Sequence, residues 1–272
     1  MKVALTGANG FVGSYLMKKF TNNIVIQRND SIEEILLKLE GVDAVFNLAG
    51  APIIKRWNKR YKKVLLSSRI ETTKKLVSAI NQSNVKHFIS TSAIGAYPNE
   101  NAYDESFSTY ADDFLGQLTQ EWEFEANKCS KPTAIIRFGV ILGKDGGALA
   151  QMLTPFKLGL GGIIGDGKMM TSWIDIDDLV NIYSYVLEKS LSGIFNAISP
   201  NPISNYTFTK ALGEQLHRPT VLPVPEFALK LLFGEGASVL TDSKEVYPKR
   251  LLESGFKFKY KDIESSLAHL LN

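Results

Sequence analysis

The sequence has little cysteine and little histidine. Among its 272 residues, cysteine occurs once, as Cys129, and histidine three times. A single cysteine cannot close an intramolecular disulfide, and structural zinc sites need several cysteine or histidine ligands at short spacings. The three histidines, at positions 87, 217 and 269, form no such spacing. A disulfide scaffold and a structural zinc site are therefore excluded.

Acidic clusters that could hold another metal are also scarce. Asp175, Asp177 and Asp178 lie together, but they directly precede a helical pattern at residues 179–187. Aspartate is a preferred residue at the first position of a helix, where its carboxylate accepts a hydrogen bond from a free backbone N–H. We therefore predict that Asp177 or Asp178 caps this helix, and we expect no metal.

Long apolar runs are missing as well. No segment approaches the roughly 18 uninterrupted apolar residues of a membrane-spanning helix. The first residues also lack the apolar core of a signal peptide, because only residues 3–5 are apolar before Thr6 and Gly7. We therefore predict a cytoplasmic protein with no membrane partner.

The chain carries almost no excess charge. Its 31 Lys and Arg against 28 Asp and Glu leave a net charge of +3, so net charge alone indicates neither a nucleic-acid nor a membrane partner. Only a local patch could indicate one. Apolar residues make up 44% and charged residues 22%, which is typical of a soluble globular protein and excludes disorder and a coiled coil.

Short apolar runs alternate with helical patterns through the first half of the chain. The predicted strands are residues 2–5, 24–27, 44–48, 87–90 and 133–138, and the predicted helices are residues 11–20, 32–39, 61–80 and 113–127. Strands that read as continuous apolar runs are buried on both faces, and each parallel crossover lays a helix on the sheet. The pattern predicts an α/β fold with a doubly wound parallel sheet.

The residue composition of the chain changes from about residue 145. A glycine-rich stretch is followed by short elements punctuated by proline, at positions 200, 202, 219, 223 and 225. We predict that residues 1–145 form the first domain, completed by parts of the later chain at about 171–200. Residues 146–272 would mainly form a smaller lobe.

A glycine pattern, Gly7-x-x-Gly10-x-x-Gly13, lies between the first strand and the first helix. Glycines at this point permit a tight turn, a close approach of the backbone to a diphosphate, and close packing of helix on strand. The helix N-terminus then points its free N–H groups at the anion. We predict a dinucleotide site rather than a purely structural turn, formed by Thr6, Gly7, Asn9, Gly10, Phe11, Val12 and Gly13.

The end of the second strand decides between NAD and NADP. An acidic residue that would bind the ribose hydroxyls of NAD is missing there, and the sequence reads Gln27-Arg28-Asn29. An arginine at this position can pair with the 2′-phosphate of NADP. The alternatives are a solvated surface arginine, or a ribose contact by the nearby Asp30. We predict NADP as the cofactor, with NAD less favoured.

Further motifs resemble a known family. Asn47-Leu48-Ala49-Gly50 follows one predicted strand and Ser90-Thr91-Ser92 follows another. With the glycine turn, they make the chain resemble an atypical extended short-chain dehydrogenase/reductase of the branch called "epimerase family protein", which is also described as nucleoside-diphosphate-sugar epimerase. The resemblance continues over essentially the whole chain, at residues 56–57, 68–70, 122–123, 137–142, 146–149, 172–179, 202–205, 234–235 and 255–258.

The resemblance implies a Rossmann-like NADP-binding domain with a small substrate lobe and a C-terminal segment of unassigned function. It gives cofactor-binding roles to Asn47, Leu48, Ala49, Gly50 and Ser90. It does not imply a known reaction. A small-molecule substrate, phosphorylated or nucleotide-linked, is expected.

The family's catalytic pair is a Tyr-x-x-x-Lys on a helix, where the lysine lowers the pKa of the tyrosine and holds the nicotinamide ribose. Here our alignment puts Phe114 and Leu118 at those two positions. Neither side chain can exchange a proton or hold a ribose hydroxyl. The sequence therefore predicts a site without the family's usual proton transfer.

Three residues remain as catalytic candidates. Ser92 occupies the family's serine position, Tyr97 is the surviving tyrosine of a Gly-Tyr-Tyr-Gly pattern, and Glu105 resembles an acidic position in the following loop. Each also has a structural interpretation: a hydrogen bond at a strand end, packing, or an exposed loop carboxylate. Two hypotheses follow, an NADP-dependent oxidoreductase or epimerase and a non-catalytic NADP(H)-binding redox sensor or assembly factor.

A local basic cluster stands out against the near-neutral total. Six lysines and arginines fall within nine residues, at positions 55, 56, 59, 60, 62 and 63. Such a cluster attracts anions, so it could guide a phosphorylated substrate or bind RNA. The other interpretation is a solvated helix face, and we expect no nucleic-acid partner.

Overall fold

A computed structural model describes residues 1–99 and 101–272 of the protein. Its strands are β1 (Val3–Thr6), β2 (Asn23–Ile26), β3 (Ala44–Asn47), β4 (His87–Ala93), β5 (Ala102–Tyr103), β6 (Thr133–Phe138), β7 (Val140–Gly143), β8 (Met170–Thr171), β9 (Trp173–Asp175), β10 (Gly193–Ala197), β11 (Ile203–Ser204) and β12 (Glu245–Val246).

Helices connect most of these strands. They are α1 (Phe11–Lys19), α2 (Ile32–Lys38), α3 (Lys59–Asn81), α4 (Phe114–Ala126), α5 (Gly147–Lys157), α6 (Ile176–Glu188), α7 (Asn205–Gln215), α8 (Glu226–Phe233), α9 (Ser238–Thr241), α10 (Lys249–Glu253) and α11 (Ile263–Leu271). Over the described ranges, every helix is too short or too polar to cross a membrane.

Six strands form one parallel sheet in the order β10-β6-β4-β3-β1-β2. Every residue of β1 and β3 is buried, as expected for strands covered on both faces. The carboxyl ends of β1 and β3 lie side by side, since Thr6 pairs with Asn47. Asn47 pairs in turn with Ser90, and β4 continues past this point to Ala93. The predicted Rossmann-like doubly wound sheet is confirmed.

Two apolar cores lie on the two faces of this sheet. Alternate strand residues face opposite sides, so neighbours in sequence belong to different cores. Leu5 and Phe46 pack in one core with residues of α1, α6 and α11, and Ala4 and Val45 pack in the other with residues of α2 and α3. Both faces are thus covered by helices.

The later chain returns to the main sheet through β10, which pairs with β6. Three small two-stranded sheets join the remaining segments: β8 with β11, β5 with β12, and β7 with β9. The β5–β12 pair ties the C-terminal segment to the loop after β4. The division near residue 145 into a cofactor domain and a substrate lobe stays a prediction.

One predicted helix start is wrong. Asp175, not Asp177 or Asp178, caps α6, because its carboxylate accepts a hydrogen bond from the Asp177 backbone N–H at 2.9 Å. The helix begins earlier than predicted because buried Ile176 already packs in the core. Asp178 lies in the first turn of α6, and its carboxylate accepts hydrogen bonds from the backbone of residues 259 and 260.

Asp175, Asp177 and His269 each bring one ligand atom within 4.8 Å of the others. Their polar atoms already have protein partners. Asp175 accepts from the Ser266 hydroxyl at 2.7 Å, and Asp177 contacts His269 Nε2 at 3.0 Å. Burial raises the pKa of Asp175 to about 6. These contacts join α6 to α11, and the absence of a metal stays a prediction.

Candidate functional site

The glycine turn joins β1 to α1 in the geometry that a diphosphate site requires. Gly7 has φ +68°, a left-handed conformation that favours glycine, and its carbonyl accepts from Gly10 N–H at 2.9 Å. A Cβ on Gly13 would lie 2.2 Å from Gly7 O, so only glycine lets α1 approach the turn. No side chain caps α1 at Gly10, and its first turn has no acidic residue. Its N-terminal N–H groups are therefore available to an anion.

Thr6 connects this turn to the loop after β3. Its hydroxyl donates to Asn47 Oδ1 at 2.8 Å and accepts from the backbone N–H groups of Leu48 and Ala49, at 3.1 and 3.2 Å. The predicted cofactor residues after β1 and β3 are thereby brought together at one edge of the sheet.

Asn47 extends the same network to the next strand. Its Nδ2 donates to the hydroxyl of Thr73 on α3 at 2.7 Å and to the Ser90 hydroxyl at 3.2 Å. Asn47 and Ser90 are both fully buried. Their side chains are hydrogen-bonded to each other inside the protein, so a direct cofactor contact by either side chain stays a prediction.

A cavity of about 240 Å³ opens beside the glycine turn. It is lined by Thr6, Gly7, Ala8, Asn9, Gly10, Val25, Ile26, Gln27, Arg28, Ile35, Ala49, Gly50, Ala51, Ser68, Thr72, Lys75 and Leu76. The lining includes most of the predicted turn residues and Arg28. Phe11, Val12, Gly13, Asn47, Leu48 and Ser90 are outside it. Phe11 packs instead against the glycines of the β7–α5 connection.

Lys75 is a cavity residue that the sequence reasoning missed. Its ammonium donates to the backbone carbonyls of Arg28 at 2.9 Å and of Asp30 at 2.5 Å. It therefore holds the loop that carries Arg28. The signal that could have revealed it is the spacing of Ser68, Thr72 and Lys75, which places three polar side chains on one face of α3.

The Asp30 carboxylate is already hydrogen-bonded to neighbouring protein groups. Its carboxylate accepts from Lys38 Nζ at 2.5 Å and from the Gln27 N–H at 2.7 Å. Although burial acts in the opposite direction, these hydrogen bonds hold the pKa of Asp30 below its ordinary value. Asp30 is also outside the cavity lining, which weakens its case as a ribose ligand.

A buried ion pair lies behind the end of β4. Arg137 on β6 donates from Nε and Nη2 to the two carboxylate oxygens of Glu123 on α4, each at 2.8 Å. The same carboxylate accepts from the Ser92 hydroxyl at 2.5 Å and from the Tyr110 hydroxyl at 2.7 Å. Glu123 and Arg137 are 1% and 3% exposed.

These contacts determine what Ser92 can offer a ligand. Since a carboxylate only accepts, the Ser92 proton is directed at Glu123, and the Ser92 oxygen has lone pairs left to accept a second hydrogen bond. Burial and the neighbouring Glu123 raise the pKa of Tyr110 to about 12. The sequence reasoning included residues 122–123 and 137 only as family matches and assigned them no role.

Residues 3–198 of the chain match the NAD dependent epimerase/dehydratase family, and residues 224–270 match a domain of unknown function, DUF1731. The chain belongs to the NAD dependent epimerase/dehydratase family. It is 38% identical to "Epimerase family protein SDR39U1 homolog, chloroplastic" of Arabidopsis thaliana, over 100% of this chain and 87% of that one. The resemblance stated from the sequence is confirmed, while a cytoplasmic location stays a prediction.

Two solved structures are similar to this chain over 99–100% of its length. The human epimerase family protein SDR39U1 with NADPH has a TM-score of 0.92 and 31% identity, covering 99% of each chain. The nucleoside-diphosphate sugar epimerase of Corynebacterium glutamicum has a TM-score of 0.80 and 30% identity, covering 100% of this chain and 58% of that one.

In this epimerase-family chain, Phe114 and Leu118 of α4 are in an apolar cluster. The Phe114 ring meets the Trp57 ring edge-on at 5.3 Å, and Leu118 is buried in the same cluster as Trp57 and Leu65. Lys62 Nζ lies 4.8 Å from the centre of the Phe114 ring. Whether these positions correspond to the family's Tyr and Lys stays a prediction.

The cavity lining includes none of the three predicted catalytic residues, Ser92, Tyr97 and Glu105. Tyr97 is fully buried, and its hydroxyl donates to Asn196 Oδ1 at 3.0 Å. Glu105 accepts from the backbone N–H groups of Asn196 at 2.8 Å and Arg250 at 3.2 Å. Burial raises the pKa of both groups. Their contacts tie the loop after β4 to β10 and α10, and their catalytic roles stay predictions.

Proposed function

We propose that the protein binds NADP(H) in the cavity beside the glycine turn. The observation that carries this proposal is one continuous lining that joins the uncapped N-terminus of α1 to Arg28. The diphosphate would meet the backbone of Gly10 and the start of α1, and the adenosine half would extend along the end of β2. The glycine positions leave the space that a Cβ would fill.

Arg28 supports NADP over NAD. Its side chain is exposed at the cavity edge and forms no ion pair with any described residue, whereas the nearby Asp30 is occupied by Lys38 and Gln27. A free guanidinium matches the geometry of a 2′-phosphate. The human family member bound to NADPH supports the same choice.

We further propose an oxidoreductase or epimerase acting on a small, nucleotide-linked substrate. A bound nicotinamide supplies or accepts a hydride. Ser92 would accept a hydrogen bond from a substrate hydroxyl, because its own proton is directed at Glu123. The hydroxyl of half-buried Tyr110 donates to the same carboxylate, so Glu123 fixes the orientation of both hydroxyls. The similarity to the nucleoside-diphosphate sugar epimerase of Corynebacterium glutamicum supports the substrate class.

A non-catalytic NADP(H)-binding sensor or assembly factor is the second candidate. The apolar surroundings of Phe114 and Leu118 favour it, as do the backbone contacts that occupy Tyr97 and Glu105. A crystal structure with NADPH separates the two candidates. Ser92 or Tyr110 within hydrogen-bond reach of a ligand beside nicotinamide C4 supports turnover, and a surface of Phe114 and other apolar atoms supports the sensor.

Replacing Arg28 by alanine tests the cofactor. A hydrogen bond to a charged group contributes roughly 1.5–3 kcal/mol, so Arg28→Ala should weaken NADPH binding on the order of tenfold to a hundredfold. NADH binding should hardly change, because NADH has no 2′-phosphate. Titration calorimetry with both cofactors measures the two affinities. Lys257→Ala, which removes an exposed cation outside the cavity, is the control. Unchanged NADPH affinity in Arg28→Ala would contradict the assignment.

A further inference from the structure

Several large apolar side chains in one part of the C-terminal half are exposed to solvent. They are Leu158 (67% exposed), Leu160 (57%), Val221 (77%), Leu222 (47%), Phe227 (73%), Leu231 (72%) and Leu232 (63%). We call these seven residues the apolar surface. Exposed apolar groups are common singly, but a cluster of this size indicates an interaction site.

The two segments of the apolar surface are held together. Val224 N–H donates to Ile163 O at 2.8 Å, and a Cβ on Gly162 would lie 1.6 Å from Leu222 O. The helix that follows, α8, has no buried residue. Phe227 and Leu231 are one helical turn apart, so their side chains lie on the same face.

Basic residues border the apolar surface at both ends. At one end, Arg56 Nη1 donates to Leu231 O at 2.7 Å, which holds the basic cluster of residues 55–63 against α8. At the other end, Arg218 Nε donates to Lys157 O at 2.9 Å, next to Leu158. We call the seven cations without a carboxylate partner the basic rim: Lys55, Arg56, Lys59, Arg60, Lys63, Lys157 and Arg218. Within residues 1–99 and 101–272, none of them forms an ion pair.

The nearby acidic groups do not balance the basic rim. Glu226, Glu235 and Asp166 are each already paired with a lysine outside the rim, at positions 230, 62 and 168. The surface therefore combines protruding apolar side chains with an excess of positive charge. The net charge of +3 conceals this excess because it averages over the whole chain.

We propose that the apolar surface and its basic rim bind the surface of bilayers that contain anionic lipids. Exposed fractions of 63–77% at Phe227, Leu231, Leu232 and Val221 describe side chains that protrude rather than line a groove. Such side chains insert into the boundary between headgroups and acyl chains, while lysine and arginine meet the anionic headgroups. A second copy of the chain fits less well, because a two-fold contact here would bring two cationic rims together.

This proposal reverses the expectation that the protein has no membrane partner. That expectation was based on net charge and on the lack of a spanning run. Binding in the plane of the interface requires neither, since one short apolar helix with basic neighbours suffices. The proposal does not depend on NADP(H) binding.

Vesicle co-sedimentation of the full chain tests it. We expect binding to vesicles of phosphatidylcholine mixed with phosphatidylglycerol, weaker binding at high salt, and little binding to phosphatidylcholine alone. Phe227→Ser/Leu231→Ser should lower the partition coefficient more than about tenfold. Lys59→Glu/Arg60→Glu should lower it by more than about 30-fold, because it replaces two attractive charges by two repulsive ones. The second variant places acidic residues in the first turn of α3, where they suit the helix dipole and preserve the fold.

Matched controls change the same chemistry elsewhere. Leu37→Ser/Leu252→Ser removes two exposed leucines, and Lys257→Glu/Lys261→Glu reverses two exposed cations. Both should bind vesicles like the wild type, and thermal unfolding verifies that every variant is folded. Equal binding to neutral and anionic vesicles, or no binding to either, overturns the proposal. So does a concentration-dependent dimer in light scattering that is lost in Phe227→Ser/Leu231→Ser while vesicles fail to bind.

Discussion

Replacing Glu123 by alanine is expected to destabilise the fold by about 3–5 kcal/mol. The reason is the arginine left behind. Arg137 is 3% exposed, and its Nε and Nη2 groups both donate hydrogen bonds to the Glu123 carboxylate. Burial lowers the pKa of Arg137, and the hydrogen bonds to Glu123 more than offset this effect. When Glu123 is removed the guanidinium still stays charged, because arginine is not deprotonated in proteins. Ser92 and Tyr110 would also lose their acceptor.

This loss of stability is the cost of leaving the Arg137 charge buried without a partner. It is not the net contribution of the Glu123–Arg137 pair to the stability of the wild-type protein. A double variant, Glu123→Leu/Arg137→Met, removes both charges and fills similar volume, so it should recover most of the lost stability. Glu125 lies two positions further along α4 and pairs with Lys128, whose side chain is 48% exposed. Because this pair is partly solvated, Glu125→Ala should cost less than about 1 kcal/mol. Urea unfolding of the four proteins gives the comparison. A Glu123→Ala loss no larger than that of Glu125→Ala would contradict the argument.

The elements that sequence reasoning predicted well are those specified by local patterns. The helix predicted at residues 11–20 is α1 (Phe11–Lys19), and the strand predicted at residues 133–138 is β6. In both cases a continuous apolar or helical pattern is bounded by residues that end it. The glycine turn is local too, because Gly7, Gly10 and Gly13 all act within one connection.

The parts of the site that were missed depend on contacts between distant residues. Lys75 holds the carbonyl of Arg28 from 47 positions away, and the Tyr97 hydroxyl meets Asn196 from 99 positions away. No spacing rule within one element reveals such partners. The Glu123–Arg137 pair joins a helix to a strand, so either residue alone would be expected to be solvated.

Strand length affected the interpretation of Ser92 as well. The strand predicted at residues 87–90 extends to Ala93, which puts Ser92 inside β4, paired with Arg137 on β6. Its hydroxyl therefore donates to Glu123 on α4, whereas Tyr97 and Glu105 are hydrogen-bonded to Asn196. The two groups meet at Arg137, whose guanidinium lies 4.8 Å from the centre of the Tyr97 ring.

Gly13→Ala is expected to abolish cofactor binding. An added Cβ would lie 2.2 Å from Gly7 O and 2.9 Å from Ala8 Cα, so the obstacle is backbone and cannot rotate away. Either α1 or the turn must move, and its N–H groups then lose their alignment on the diphosphate. We expect NADPH affinity in titration calorimetry to fall by more than about a hundredfold, with overpacking lowering stability by roughly 1–3 kcal/mol.

Two graded variants separate this effect from a general loss of stability. Gly10→Ala brings a Cβ only to 3.1 Å from Gly7 O, so it should weaken NADPH binding less than Gly13→Ala. Gly41→Ala strains a left-handed backbone, with φ +69°, where the nearest atom is the flexible Lys2 ammonium at 3.9 Å. It should cost about 1 kcal/mol of stability and leave NADPH affinity unchanged. Gly13→Ala removes the close approach of α1 to the turn. If this variant lost stability like Gly41→Ala but bound NADPH normally, the diphosphate would have to lie elsewhere.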